Sequence, residues 1–171
     1  MARRIWTVGH STLSLEDFLD VVRDVEVLAD VRRFPASRRH PHFSGESLAR
    51  VKPYRWFEAL GGRRSGDNGR HPALRAKAFR AYAVWAESPD FRRALEELEA
   101  LASGRRTAVL CAEAVWFRCH RMILSDILRA RGWEVLHLPG GKAHKYTKGA
   151  RPTSEGVVYD GADPAQPSLW S

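Results

Sequence analysis

Two cysteines, a glutamate, a histidine and two arginines crowd into VLCAEAVWFRCHRMIL, residues 109–124 of a 171-residue chain. Glu113 leaves an apolar run and precedes a helix-like one, a position where partial desolvation can raise a carboxyl toward acid/base work. Asp30 ends another apolar run, VEVLAD. The two carboxylates could share a water, a metal or a sugar carbon, unless each is neutralised by a nearby arginine such as Arg32 or Arg118. His10 stands in a Gly9-His10-Ser11 turn where imidazole and backbone N–H groups can face an anion; the structural alternative is a helix cap from Ser11 or Ser14. Cys119-His120-Arg121 opens the next helix, where a thiol ionises more readily and Arg121 can hold phosphate. Cys119 could equally pack as a small apolar residue. Cys111, Cys119 and His120 match no recognised four-ligand zinc spacing, so no thiol-bound metal is expected.

These residues need a frame that brings them together. RIWTVGHS, VEVLADVRR, RTAVLCAE and WEVLHLPGG read as strands, with PYRWF a weaker, edge-like candidate containing Pro53. Helices are predicted at SLEDFLDVV, with Ser14 capping and Asp17 three residues on, and from about Ser44. Two more follow at PALRAKAFRAYAVWAE and at SPDFRRALEELEALAS, the latter with Ser88 as cap, Pro89 first and Gly104 as terminator. CHRMILSDILRARG is the last, with Ile123, Leu124, Ile127 and Leu128 on one face. Strand–helix alternation predicts a single three-layer α/β domain with a mainly parallel, Rossmann-like sheet over residues 1–150. An irregular basic C-terminal extension follows over 151–171, with a short strand near GVVYD. In an open parallel sheet Gly9-His10-Ser11, Asp30 to Arg33, Cys111 to Glu113 and Pro139 to Gly141, each just after a strand, converge on one edge, where ligands bind.

The chain is 44% apolar and 28% charged. It has the composition of a water-soluble domain, with no apolar run near the roughly 20 residues of a membrane helix. MARRIWTVGHS lacks a signal-peptide core, so a cytoplasmic location is expected, and two cysteines are too few for a disulfide scaffold. Twenty-eight Lys and Arg against 20 Asp and Glu give a net charge of +8. That excess favours a polyanion, nucleic acid and DNA in particular, though a compositional bias toward arginine is the competing explanation. Arg32, Arg33, Arg38, Arg39, Arg63 and Arg64 cluster in loops and are candidate phosphate ligands. Trp56, Trp116 and Phe117 lie where a ring could stack on a base; Trp6, Trp85 and Trp133 are assigned to the core.

In order, TVGHST, VLADVRRFPASRRHPHF, LGGRR, FRAYAVW, LCAEAVWFRCHR and GWEVLHL resemble the bacterial and archaeal domain-of-unknown-function family 488. The resemblance carries over to Gly9, His10, Ser11, Asp30, Arg32, Pro35, Arg38, Arg39, Gly61, Gly62, Cys111, Glu113, Cys119, His120 and Arg121. A looser likeness joins ADVR, VLC and GWEVLHLPGG to rhodanese-like domains, in which Cys111 would be the catalytic cysteine. The tail AQPSLWS resembles a sliding-clamp docking peptide, with Gln166, Leu169 and Trp170 as its anchors; a fold-back onto the domain is the alternative.

The resulting expectation is a DNA-associated enzyme of repair or processing that hydrolyses an N-glycosidic or phosphodiester bond of a nucleotide. Glu113 would be the key carboxylate, assisted by Asp30 and His10, with Gly9, Ser11, Cys111, His120, Arg121 and the loop arginines binding substrate. No cofactor is expected for glycosidic cleavage; a divalent metal between Asp30 and Glu113 would be needed for phosphodiester cleavage. The alternatives are a non-catalytic nucleic-acid or clamp adaptor and a sulfurtransferase using Cys111.

Overall fold

The computed structural model describes residues 3–161. The parallel sheet forms as expected. β1 (Arg3–Gly9) is paired in parallel with β4 (Thr107–Cys111) on one side and β5 (Trp133–His137) on the other. β2 (Val27–Asp30) lies between β4 and the edge strand β3 (Tyr54–Trp56). A two-residue β6 (Lys142–Ala143) closes the other edge antiparallel, giving the order β3-β2-β4-β1-β5-β6.

Alternation along the buried strands sends neighbouring side chains to opposite faces. Ala108 and Leu110 of β4, with Val8 and Leu28, pack on α1 (Leu15–Val21), α2 (Gly45–Val51) and Phe43. Val109 and Cys111, with Ile5, Ala29 and Val135, pack on α3 (Lys77–Trp85), α4 (Pro89–Gly104) and α5 (Arg121–Ala130). Two helical layers thus enclose the sheet, the three-layer α/β domain that the sequence pattern predicts.

The caps explain where helices begin. Ser14 accepts from the Asp17 N–H, Ser44 from Ser47, and Ser88 from Phe91 with Pro89 at the first position. Gly104 is the last residue of α4 rather than its terminator; Arg105, in extended conformation, ends the helix. Residues 151–161 are tied to the domain: β7 (Arg151–Pro152) and β8 (Val157–Val158) form a hairpin, and Tyr159 is fully buried against α5's side of the core. The predicted core tryptophan Trp133 is buried, Trp85 is half-buried, and Trp6 packs partly buried on the opposite face. The tail with Gln166, Leu169 and Trp170 lies outside the described residues. Among the described residues no helix is long and apolar enough to cross a membrane.

Candidate active site

Parallel pairing carries the ends of β1 and β4 past the strands. His10 N–H donates to Cys111 O at 3.0 Å and Ser11 N–H to Ala112 O at 2.9 Å. Ser11 holds φ +48°, a left-handed conformation costly for a non-glycine residue. Gly9 is required by proximity, since a Cβ there would lie 1.8 Å from Glu113 O and 2.8 Å from an Arg121 Nη atom. Gly62 admits His120 in the same way, its absent Cβ lying 2.9 Å from Nδ1.

Over these strand ends opens a cavity of about 320 Å³. His10, Arg32, Cys111, Cys119 and His120 line its inner part; Phe34, Phe79, Tyr82, Arg33 and Arg63 complete the walls. The size is at the low end for small-molecule sites, about 300–1,000 Å³.

The two carboxylates expected to act there do not line it. Asp30 is fully buried beneath Arg32, accepting from its Nε at 2.8 Å, its Nη2 at 2.6 Å and its backbone N–H at 3.0 Å, and from the Tyr54 hydroxyl. Burial opposes the Arg32 charge, but the Asp30 bonds prevail and raise its pKa. The neutralising arginine considered for Asp30 is therefore present. Glu113 is exposed, its Oε1 accepting from the Val115 N–H at 3.2 Å. The reason is local: Arg121 takes the Glu113 carbonyl, which turns that loop's side chain outward. The shared Asp30–Glu113 centre, and a divalent ion between them, is corrected by this arrangement.

The thiols occupy the place expected of the carboxylates. Cys111 and Cys119 Sγ atoms lie 3.1 Å apart. Cys119 Sγ also accepts from the Arg121 backbone N–H and Nε, each at 3.4 Å. The Cys111 hydrogen bond, then the Arg121 charge and its hydrogen bonds, lower the Cys119 pKa to about 6 against the opposing effect of burial. Cys111 is pushed well up by the same sulfur contact and by burial, so of the two thiols Cys119 is the one that ionises more readily.

Charge balance supports this assignment. Arg121 is 1% exposed and keeps its charge. Its hydrogen-bond partners are Thr7 Oγ1, the Glu113 and Ala114 carbonyls and Cys119. Only the sulfur among them can carry the negative charge that a buried guanidinium needs. Cys111, Cys119 and His120 offer ligand atoms all within 4.8 Å of one another, a three-donor set able to take a soft metal. A dication there would sit beside Arg121 and remove its counter-charge, so the site is better matched to a metal-free thiolate.

Both cavity histidines are neutral at pH 7, burial lowering His10 and His120 to about 4. His120 Nε2 donates to Val31 O at 2.7 Å, leaving Nδ1 unprotonated. His10 Nδ1 donates to Ser11 O at 2.9 Å and its ring stacks on Phe43, so Nε2 carries the lone pair.

The remaining arginines divide. Arg63 is exposed, Arg33 donates to its carbonyl, and both guanidinium groups lie within 6.0 Å of the exposed Phe34 ring at the mouth. Arg38 and Arg39 are exposed on the same loop as Phe34. Arg64 is used structurally, bonded to Glu58 and the Gly61 carbonyl and stacked over Trp85, which corrects its reading as a phosphate ligand. Trp56 and Phe117 are exposed; Trp116 stacks on His137 instead. Sequence reasoning missed Thr7, His137, His144, Asp126 and Tyr54, all in contact with these groups, because each sits inside an apolar-patterned element or far along the chain.

No curated protein and no solved structure matches this chain, and the looser rhodanese-like resemblance gains no support. The family described as "Domain of unknown function DUF488" matches residues 14–128. With that match covering most of the domain, from the cap of α1 into α5, the chain belongs to the DUF488 family.

Proposed function

We propose that this domain is a cysteine-dependent hydrolase of a phosphate ester carried by a nucleotide or nucleic acid. The observation that carries the reading is the Cys119 sulfur, in contact with Cys111 and with the Arg121 guanidinium, on the wall of a cavity whose mouth bears Arg33 and Arg63. A thiolate at the cavity wall would attack phosphorus, breaking the ester P–O bond and forming a phosphocysteine. The leaving oxygen takes a proton from solvent. Water then cleaves the P–S bond, gives its proton to solvent, and releases phosphate with the thiolate restored.

The exposed Arg63 guanidinium, with Arg33 beside it paired to Glu58, would hold the phosphoryl oxygens, while Phe34, Phe79 and Tyr82 offer apolar surface to a base. Cavity volume and the net charge of +8 favour one nucleotide of a nucleic-acid chain, DNA first, taken singly and not as duplex. This keeps the DNA-processing role expected from sequence but moves the chemistry from Glu113 to Cys119. Glycosidic hydrolysis would require a carboxylate at the reacting carbon, and among the described residues none lines the cavity.

Cys119→Ser is expected to lower turnover of p-nitrophenyl phosphate and of 5′-phosphorylated oligonucleotides by at least about a thousandfold while binding persists. Glu113→Gln is expected to change turnover less than about twofold. The reverse pattern, loss with Glu113→Gln and retention with Cys119→Ser, would overturn the proposal and restore the carboxylate mechanism.

A further inference from the structure

Behind Arg121 runs a file of buried polar groups that no step above uses. Arg121 Nη1 donates to Thr7 Oγ1 at 3.2 Å. Thr7 Oγ1 meets His137 Nδ1 at 2.6 Å, His137 Nε2 meets His144 Nδ1 at 2.9 Å, and His144 Nε2 meets Asp126 Oδ1 at 2.7 Å. Thr7 and Asp126 are fully buried, and His137 and His144 nearly so.

One arrangement of hydrogens pairs every group between the two ends. Asp126 is a carboxylate that also accepts from the Tyr159 hydroxyl and the Thr147 N–H, so His144 Nε2 carries a hydrogen. In that arrangement His144 Nδ1 accepts from His137 Nε2–H, and His137 Nδ1 accepts from the Thr7 hydroxyl. Thr7 then has lone pairs free for Arg121. Each donor from Arg121 onward points toward Asp126, and no member is left unpaired. Burial, then the neighbouring His144 and Arg121, lower the His137 pKa to about 3, consistent with a neutral ring. Trp116, from the loop before Cys119, covers the file by stacking on His137 at 4.4 Å between ring centroids and 3° between planes.

We propose that Thr7, His137, His144 and Asp126 are positioning residues that orient the Arg121 guanidinium against the Cys119 sulfur. The inference rests on the thiolate reading of the site. Orientation is the point: the guanidinium fork is planar, so fixing Nη1 on Thr7 and Nη2 on the Glu113 carbonyl directs Nε at Sγ. The file also ends on the buried Asp126 carboxylate, which anchors the His144 ring through Nε2. The other titratable groups facing Cys119 are Cys111 from β4, His120 and Tyr82 from α3, and none belongs to the file.

The test is the pH dependence of Cys119 alkylation by iodoacetamide, followed by mass spectrometry of the labelled peptide. It needs no substrate, so it stands apart from the phosphatase assay. Thr7→Val removes the hydroxyl at nearly constant volume and is expected to slow alkylation at pH 6 about fivefold, an upward pKa move of about one unit. Thr7→Ser, which keeps the hydroxyl, is expected to restore the wild-type profile. A Thr7→Val profile superimposed on the wild type, or a Thr7→Ser profile as displaced as that of Thr7→Val, would overturn the proposal. Should Thr7→Val fail to fold, ¹⁵N-histidine NMR of the unmodified chain decides. His137 protonated on Nε2 and bare at Nδ1 supports the file, and the opposite tautomer contradicts it.

Discussion

Two arginines, Arg32 and Arg121, end up buried at the same edge of the sheet and serve opposite purposes. Arg32 grips Asp30 through a two-pronged carboxylate pair, and its charge is spent within the pair. Arg121 has only carbonyls, a hydroxyl and a sulfur to bond. A buried guanidinium given a carboxylate becomes a structural clamp; denied one, it draws its counter-charge from the nearest group that can ionise. Here that group is a thiol, and with the Cys111 hydrogen bond the buried cation draws Cys119 toward its ionised form.

The contrast can be broken from either side. The larger effect belongs to the clamp. Asp30→Asn leaves Arg32 buried without its counter-charge and the Tyr54 hydroxyl without its carboxylate acceptor, and is expected to cost about 3–5 kcal/mol in urea unfolding. The same variant should leave the Cys119 alkylation profile unchanged, because Arg121 does not touch Asp30. A loss below about 1 kcal/mol would show that the pair is not the clamp described.

The smaller effect belongs to the thiol. Arg121→Lys keeps a charge but loses the planar fork that reaches Thr7, two carbonyls and the sulfur together. Alkylation of Cys119 at pH 6.5 is expected to slow roughly tenfold. An unchanged rate would mean that Cys111 alone sets the thiol's ionisation. Acid adds a further check with its own sign. His10, His120 and His137 have folded pKa values below the unfolded value, so the unfolded chain binds more protons as pH falls. The histidines' contribution to stability should therefore be full above about pH 6.5 and fall progressively toward pH 4, by an order of a few kcal/mol, as thermal melts would show.

Much of this frame was legible in the sequence. Apolar runs placed the strands, and Ser14, Ser44 and Ser88 marked helix starts through a mechanism that depends only on neighbours. The convergence of Gly9-His10, Asp30 and Cys111 follows from parallel pairing, which needs no side-chain detail. What local reasoning could not supply was which way the loop after Cys111 turns. Glu113 stood out because a carboxylate follows a buried strand, yet a guanidinium eight residues later captures its backbone and leaves its side chain in water. The Thr7–His137–His144–Asp126 file was hidden for a related reason. Its members are separated by up to 130 residues and sit among apolar neighbours, where a lone polar side chain reads as incidental.

The central claim is that Cys119 is a thiolate at neutral pH because Arg121 and Cys111 make it one. The most direct measurement is the absorbance of the thiolate near 240 nm as the folded protein is titrated, with a Cys119→Ser control to assign the signal. The account expects one thiolate to appear with a midpoint near pH 6 and to vanish in the control. A midpoint near the free-thiol value of about 8.5 would contradict it.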